Sequence, residues 1–128
     1  QIVLEEHPEC VIVVEDNRMI ERDYGKLSGK LHSEIAKKYG KEQYEHWHRG
    51  YYPEDRPPKG ESFSDVEQRV RSFINGLKKF MKKNNISVAI SAHGNSIRLF
   101  RKIMENVRVE ETVKWAIPYD KIFEYTIR

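Results

Sequence analysis

Seven apolar residues, Val66, Val70, Phe73, Ile74, Leu77, Phe80 and Met81, recur in steps mostly of three and four, and then the period changes to two. The first spacing puts one apolar stripe on one face of a helix. Ser62 and Asp65 stand at capping-box spacing just ahead of it, and Asn84 and Asn85 close it. Beyond them Ile86, Val88 and Ile90 alternate with Ser87, Ala89 and Ser91. Small partners such as Ala89 and Ala92 leave room for helices on both faces, so this stretch predicts a central strand. His93 and Gly94 break it, and Ile97, Phe100, Ile103 and Met104 then return to helical spacing, with Ser96 as the expected cap.

The rest of the chain extends the alternation. Val11 to Val14 is a short β-branched run that predicts a buried strand, and Ile122 to Ile127 predicts a closing one. The segment from Asn17 to Gly29 predicts a loop passing into a helix, and a short helix is expected around Ser33 to Tyr39, stopped by Gly40. Tyr51 to Gly60 contains Pro53, Pro57 and Pro58 and predicts a surface loop. Helix alternating with strand predicts an α/β fold, a three-layer αβα arrangement of a largely parallel sheet with helices on both faces. With 128 residues the chain is expected to form a single domain over 1–128.

Bulk properties exclude several classes. No apolar run approaches membrane-spanning length, so no membrane partner is expected. A single cysteine, Cys10, excludes an internal disulfide framework and fits a reducing compartment, hence a cytoplasmic expectation. Net charge is +3, and Lys78, Lys79, Lys82 and Lys83 cluster on the long helix. A solvated helix face explains that cluster more simply than a nucleic-acid patch. His46 and His48 form a His-x-His pair, but no third ligand accompanies them, so no metal is expected.

Two short constellations carry chemistry. His93-Gly94-Asn95-Ser96 joins the expected strand to a helix. Unpaired amides at a helix start favour an anion, and Gly94 removes the Cβ that would block its approach. The residues alone leave two readings open there: an anion site beside His93, or a capped helix with an incidental histidine. Glu21-Arg22-Asp23-Tyr24-Gly25 gathers a carboxylate, a guanidinium and a phenol in one loop. A glutamate can shuttle a proton and an arginine can grip a phosphate bidentately, but a surface salt bridge also fits.

Three stretches in order resemble the histidine phosphatase superfamily, which includes cofactor-dependent phosphoglycerate mutase and fructose-2,6-bisphosphatase. They are Glu21 to Gly29, Gly60-Glu61-Ser62-Phe63, and Ser91 to Arg98. The resemblance runs nearly the whole length and implies phosphoryl transfer through a phosphohistidine on a small phosphorylated metabolite. It implies Glu21 as general acid or base and His93 as the second histidine beside the phosphate. It also implies that Arg22, Tyr24, Arg49, Gly94 and Asn95 hold the rest of the substrate. No metal is implied, and a 2,3-bisphosphoglycerate primer is implied only for a mutase.

The departures matter as much. The family's nucleophile lies in an N-terminal Arg-His-Gly triplet, and no such triplet occurs in this sequence. The chain is therefore expected to be the C-terminal part of the family's domain, inactive alone and completed by an N-terminal segment, with a homo-oligomer also open. The alternative is a degenerate chain that keeps the fold and binds a phosphate-bearing ligand or partner chain without turnover. A mutase lysine aligns with His32 and a mutase arginine with His48. The short proline-rich connection from Trp47 to Gly60 lacks the mutase insertion, which favours a phosphatase.

Overall fold

The computed structural model describes residues 5–10 and 12–128. Its principal elements are α1 (His32–Tyr39), α2 (Lys41–Arg49), α3 (Phe63–Asn84), α4 (Gly94–Glu105) and a short α5 (Val109–Thr112). Single 3-10 turns lie at Asn17–Met19, Gly25–Leu27 and Pro53–Asp55. No helix among the described residues is long and apolar enough to cross a membrane.

The expected α3 forms for the expected reason. The Ser62 hydroxyl accepts from the Asp65 amide at 3.2 Å, and the Asp65 carboxylate accepts from the Ser62 amide at 2.8 Å. Arg56 adds two bonds to the same carboxylate, both 2.7 Å. At the far end Asn85 turns left-handed, with φ 51°, and stops the helix. The buried face of α3 supplies Phe63, Val66, Val70 and Ile74, which meet Met19 and Leu99 in one core. Each such side chain contributes about 1.5–3 kcal/mol when withdrawn from water. Phe73, Phe100 and Ile103 extend the seam between α3 and α4.

α1 spans almost the predicted residues and ends at Gly40, with φ 90°. α2 carries no strong apolar period, which is why the sequence reading passes over it. Arg22 is what fixes its end, as described below. On α4 the expected cap shifts: His93 is the N-cap residue, and Ser96, one turn in, bonds to it. The Ser96 hydroxyl accepts from the His93 amide at 3.2 Å and donates to the His93 carbonyl at 3.1 Å.

The α/β expectation, a largely parallel sheet between helical layers, is overturned. Among the described residues there is no strand and no sheet. Residues 12–15, 87–93 and 121–128 lack regular structure, and no backbone ladder joins them. Val11 lies outside the described residues. Alternating apolar residues make one face of an extended segment sticky, but a strand exists only once a neighbour supplies its ladder of hydrogen bonds. Without that neighbour the apolar side chains stay in water: Val13 is 65%, Val88 38% and Ile122 89% exposed.

Candidate functional site

Arg22 is buried, at 2% exposure, between the rings of Tyr24 and Phe63, 4.9 and 4.7 Å from its guanidinium carbon. It donates to three backbone carbonyls: Glu61 at 2.7 Å, His48 at 3.1 Å and Trp47 at 2.6 Å. Two of those carbonyls are at the C-terminal end of α2, where no helical partner is available. Burial lowers the proton affinity of Arg22, while Tyr24, Glu61 and Glu21 act the other way. Arg22 lines neither cavity described here; it ties the end of α2 to the 61–63 turn.

A second arginine holds the chain on the other side. Arg69 of α3 pairs with Glu61 at 2.9 Å and donates to the carbonyls of Arg18, Ile20 and Glu21 at 2.8, 3.0 and 3.2 Å. Burial would raise the Glu61 carboxyl, yet Arg69 and the Asp23 amide keep it below its ordinary value. Gly25, with φ 57°, packs where a Cβ would strike the Pro58 carbonyl and the Gly60 amide. The Glu21–Gly25 loop is thereby fastened to the Gly60–Phe63 turn, which explains why the two motifs belong together.

Glu21 reaches α4 from this loop. Its Oε1 accepts from its neighbour's amide at Arg22, 2.7 Å, and from the Asn95 amide at the helix start, 3.2 Å. The amide that the sequence reading reserves for a ligand thus holds the chain's own carboxylate. Oε2 has no hydrogen-bond partner among the described residues, and a Cβ on Gly94 would lie 3.8 Å from it. Asn95 also donates from its side chain to the Tyr24 hydroxyl at 3.1 Å.

Glu21, Tyr24, Arg49, Gly94 and Asn95 line one cavity of about 250 Å³. Of the residues expected at the site, these five come together. His93 caps the same helix but is exposed and does not line the cavity. His46 bonds to Asp55 at 2.9 Å, while His48 stacks on Tyr44, so the His-x-His pair diverges, as residues two apart on a helix do.

Arg98 lines this cavity too and is absent from the expected residues. It is buried, with 7% exposed, and donates to the carbonyls of Thr112 and Val113, both at 3.3 Å. Arg49 donates to that same Val113 carbonyl at 3.2 Å. Burial, followed by the neighbouring Arg49, lowers the proton affinity of Arg98. Its Nε is buried without a partner. The signal for it was available: Arg98 stands four residues after Gly94, one turn down the same face of α4. Two guanidiniums against one lining carboxylate leave the cavity an excess of positive charge.

A second cavity, of about 190 Å³, lies between α1, α2 and the 24–30 turn, lined by Tyr24, His32, Tyr44, Trp47 and His48 among others. Tyr24 and His48 line both cavities.

Residues 1–127 match the family described as histidine phosphatase superfamily (branch 1). A 2,3-bisphosphoglycerate-dependent phosphoglycerate mutase from Chlamydia felis is 34% identical over 125 residues, covering 98% of this chain and 54% of the relative. A protein of the same name from Chelativorans sp. is 38% identical over 106 residues, covering 81% and 50%. The chain spans about half the length of these curated relatives. With the family matched over nearly every residue, the chain belongs to the histidine phosphatase superfamily.

Proposed function

We propose that this site serves phosphoryl transfer through a phosphohistidine on a small phosphorylated metabolite, as a phosphatase more than as a phosphoglycerate mutase. The carrying observation is Glu21: one oxygen fixed by two amides, the other without a partner among the described residues, in a cavity that Arg49 and Arg98 also line. A fixed carboxylate with one available oxygen suits proton transfer, and paired guanidiniums suit phosphoryl oxygens.

In this reading a histidine of an Arg-His-Gly triplet attacks phosphorus in line. The P–N bond forms, the ester P–O bond breaks, and Glu21 gives its proton to the leaving oxygen. Water then attacks phosphorus, the P–N bond breaks and Glu21 takes a proton back. Arg49 and Arg98 meet the phosphoryl oxygens and Asn95 holds the rest of the substrate, while His93, at the α4 start outside the cavity lining, joins them only if its ring turns inward. No metal enters the scheme, and a bisphosphoglycerate primer belongs only to the mutase variant. Because this sequence contains no such triplet, the 128-residue chain alone is inactive, and a segment carrying the triplet completes it.

The open cleft favours hydrolysis. Arg56 pins the 51–60 connection to Asp65 at the start of α3, and none of its residues lines the cavity. A phosphohistidine that water can reach hydrolyses before a second hydroxyl finds it. The test uses a protein carrying the triplet ahead of this sequence. It is given a panel of phosphate monoesters and, separately, 3-phosphoglycerate with a bisphosphoglycerate primer. Phosphate release that falls about 100-fold in Glu21→Gln is expected. Fast interconversion with negligible phosphate release would overturn the phosphatase reading.

A further inference from the structure

We propose that the second cavity, between α1 and α2, seats the alcohol end of the substrate and selects a neutral, hydroxyl-bearing group, a sugar or polyol, over a carboxylate. This rests on the phosphoryl-site reading above. Tyr24 and His48 form walls common to both cavities, so a molecule with its phosphoryl group between Glu21 and Arg49 extends past them into the second.

The walls suit such a group. Tyr44 and His48 stack, with centroids 5.2 Å apart and planes 12° from parallel, and the His32 ring meets the His48 ring at 5.1 Å. Trp47, Leu27 and Ile35 complete the apolar surface. Flat rings cover the C–H faces of a polyol, while a few polar atoms meet its hydroxyls. Neither ring nitrogen of His48 has a hydrogen-bond partner among the described residues. Tyr44 and His32 already share a bond of 2.6 Å.

Charge decides between hydroxyl and carboxylate. No arginine lines this cavity, and its one lysine, Lys30, is exposed and hydrated. Burial, then Arg49, His32 and Arg22, hold the His48 imidazole below its ordinary value, with Glu45 alone among the named neighbours opposing them. A neutral imidazole offers one N–H and one bare nitrogen. Neighbouring hydroxyls of a polyol satisfy both, one accepting from the N–H and another donating to the bare nitrogen. A carboxylate only accepts, and would set its charge against the bare nitrogen and the Tyr44 and Tyr24 rings.

Calorimetry on the 128-residue chain, at about 0.15 M salt to screen long-range attraction, compares three probes: inorganic phosphate, glycerol 3-phosphate and 3-phosphoglycerate. The two esters share phosphate and three carbons and differ in a hydroxymethyl against a carboxylate. Expected at pH 7.5 is glycerol 3-phosphate binding about tenfold tighter, the difference one unpaired polar contact makes. His48→Arg should reverse the preference at pH 7.5, and His32→Lys should shift it the same way should the first variant fail to fold. Equal or tighter 3-phosphoglycerate binding by the unaltered chain at pH 7.5, with inorganic phosphate still bound, overturns the selectivity alone. No binding of inorganic phosphate overturns the phosphoryl-site reading and the selectivity with it.

Discussion

The two cavities share Tyr24 and His48 yet are built by opposite means. Around the first, side chains are tied to backbone: Arg22 to three carbonyls, Arg69 to three more, Arg98 and Arg49 together to Val113. Around the second, ring packing predominates, with the Tyr44–His32 bond the principal side-chain tie. A site that handles developing charge needs donors that do not move, and backbone ties fix them. A site that accommodates the remainder of a molecule needs shape more than fixed charge. Substitutions should therefore be costly around the first cavity and mild around the second.

The largest effect is expected from Arg22→Ala. It strands three carbonyls, two of them at the end of α2, and should lower unfolding stability by about 3 kcal/mol, read from urea denaturation. A loss under about 1 kcal/mol would mean that water replaces the guanidinium and that the ties are not what holds α2. Arg69→Ala should follow, at about 2 kcal/mol. It should also weaken phosphate binding, because the carbonyls of 18–21 that position Glu21 go slack.

Asp65→Ala should cost about 1 kcal/mol through the lost cap of α3. It also carries a pH signature. Arg56, with the Ser62 bonds, holds the Asp65 carboxyl at about 2, below its ordinary 3.8. A folded value below the unfolded one gives stability that is complete above about pH 4 and lost as pH falls toward 2. The variant should lack that part of the acid slope, and an unchanged slope would remove Asp65 as its source. Smallest of all, Tyr44→Phe at the second cavity should change stability by about 0.5 kcal/mol, since it removes one exposed hydroxyl bond. A loss as large as that of Arg69→Ala would erase the contrast between the two cavities.

How far the sequence discloses this molecule depends on the range of the forces involved. α3 is legible because its stripe, its Ser62–Asp65 cap and its Asn85 stop are all local. The meeting of Glu21 with the Gly94–Asn95 turn is legible only through family resemblance, since 74 positions separate Glu21 from Asn95 and no local pattern encodes the contact. The sheet expectation failed for the same reason in reverse. Alternation at Ile86, Val88 and Ile90 describes what a segment could bury, while a ladder depends on a partner that the pattern does not name. Arg98 is not legible in the sequence because a single arginine on an amphipathic helix reads as solvated. Only the carbonyls of Thr112 and Val113, brought in by α5, draw it inside.

In the proposed function the cavity lined by Glu21 and Arg49 takes a phosphoryl group. The most direct measurement titrates the isotope-labelled chain with inorganic phosphate and follows backbone amide resonances. Saturable shifts are expected at the Gly94, Asn95 and Arg49 amides at millimolar phosphate, strengthened in Glu21→Gln, where the competing carboxylate charge is gone. Shifts confined to the exposed lysines of α3, Lys78, Lys79, Lys82 and Lys83, with the Asn95 amide unmoved, would contradict it.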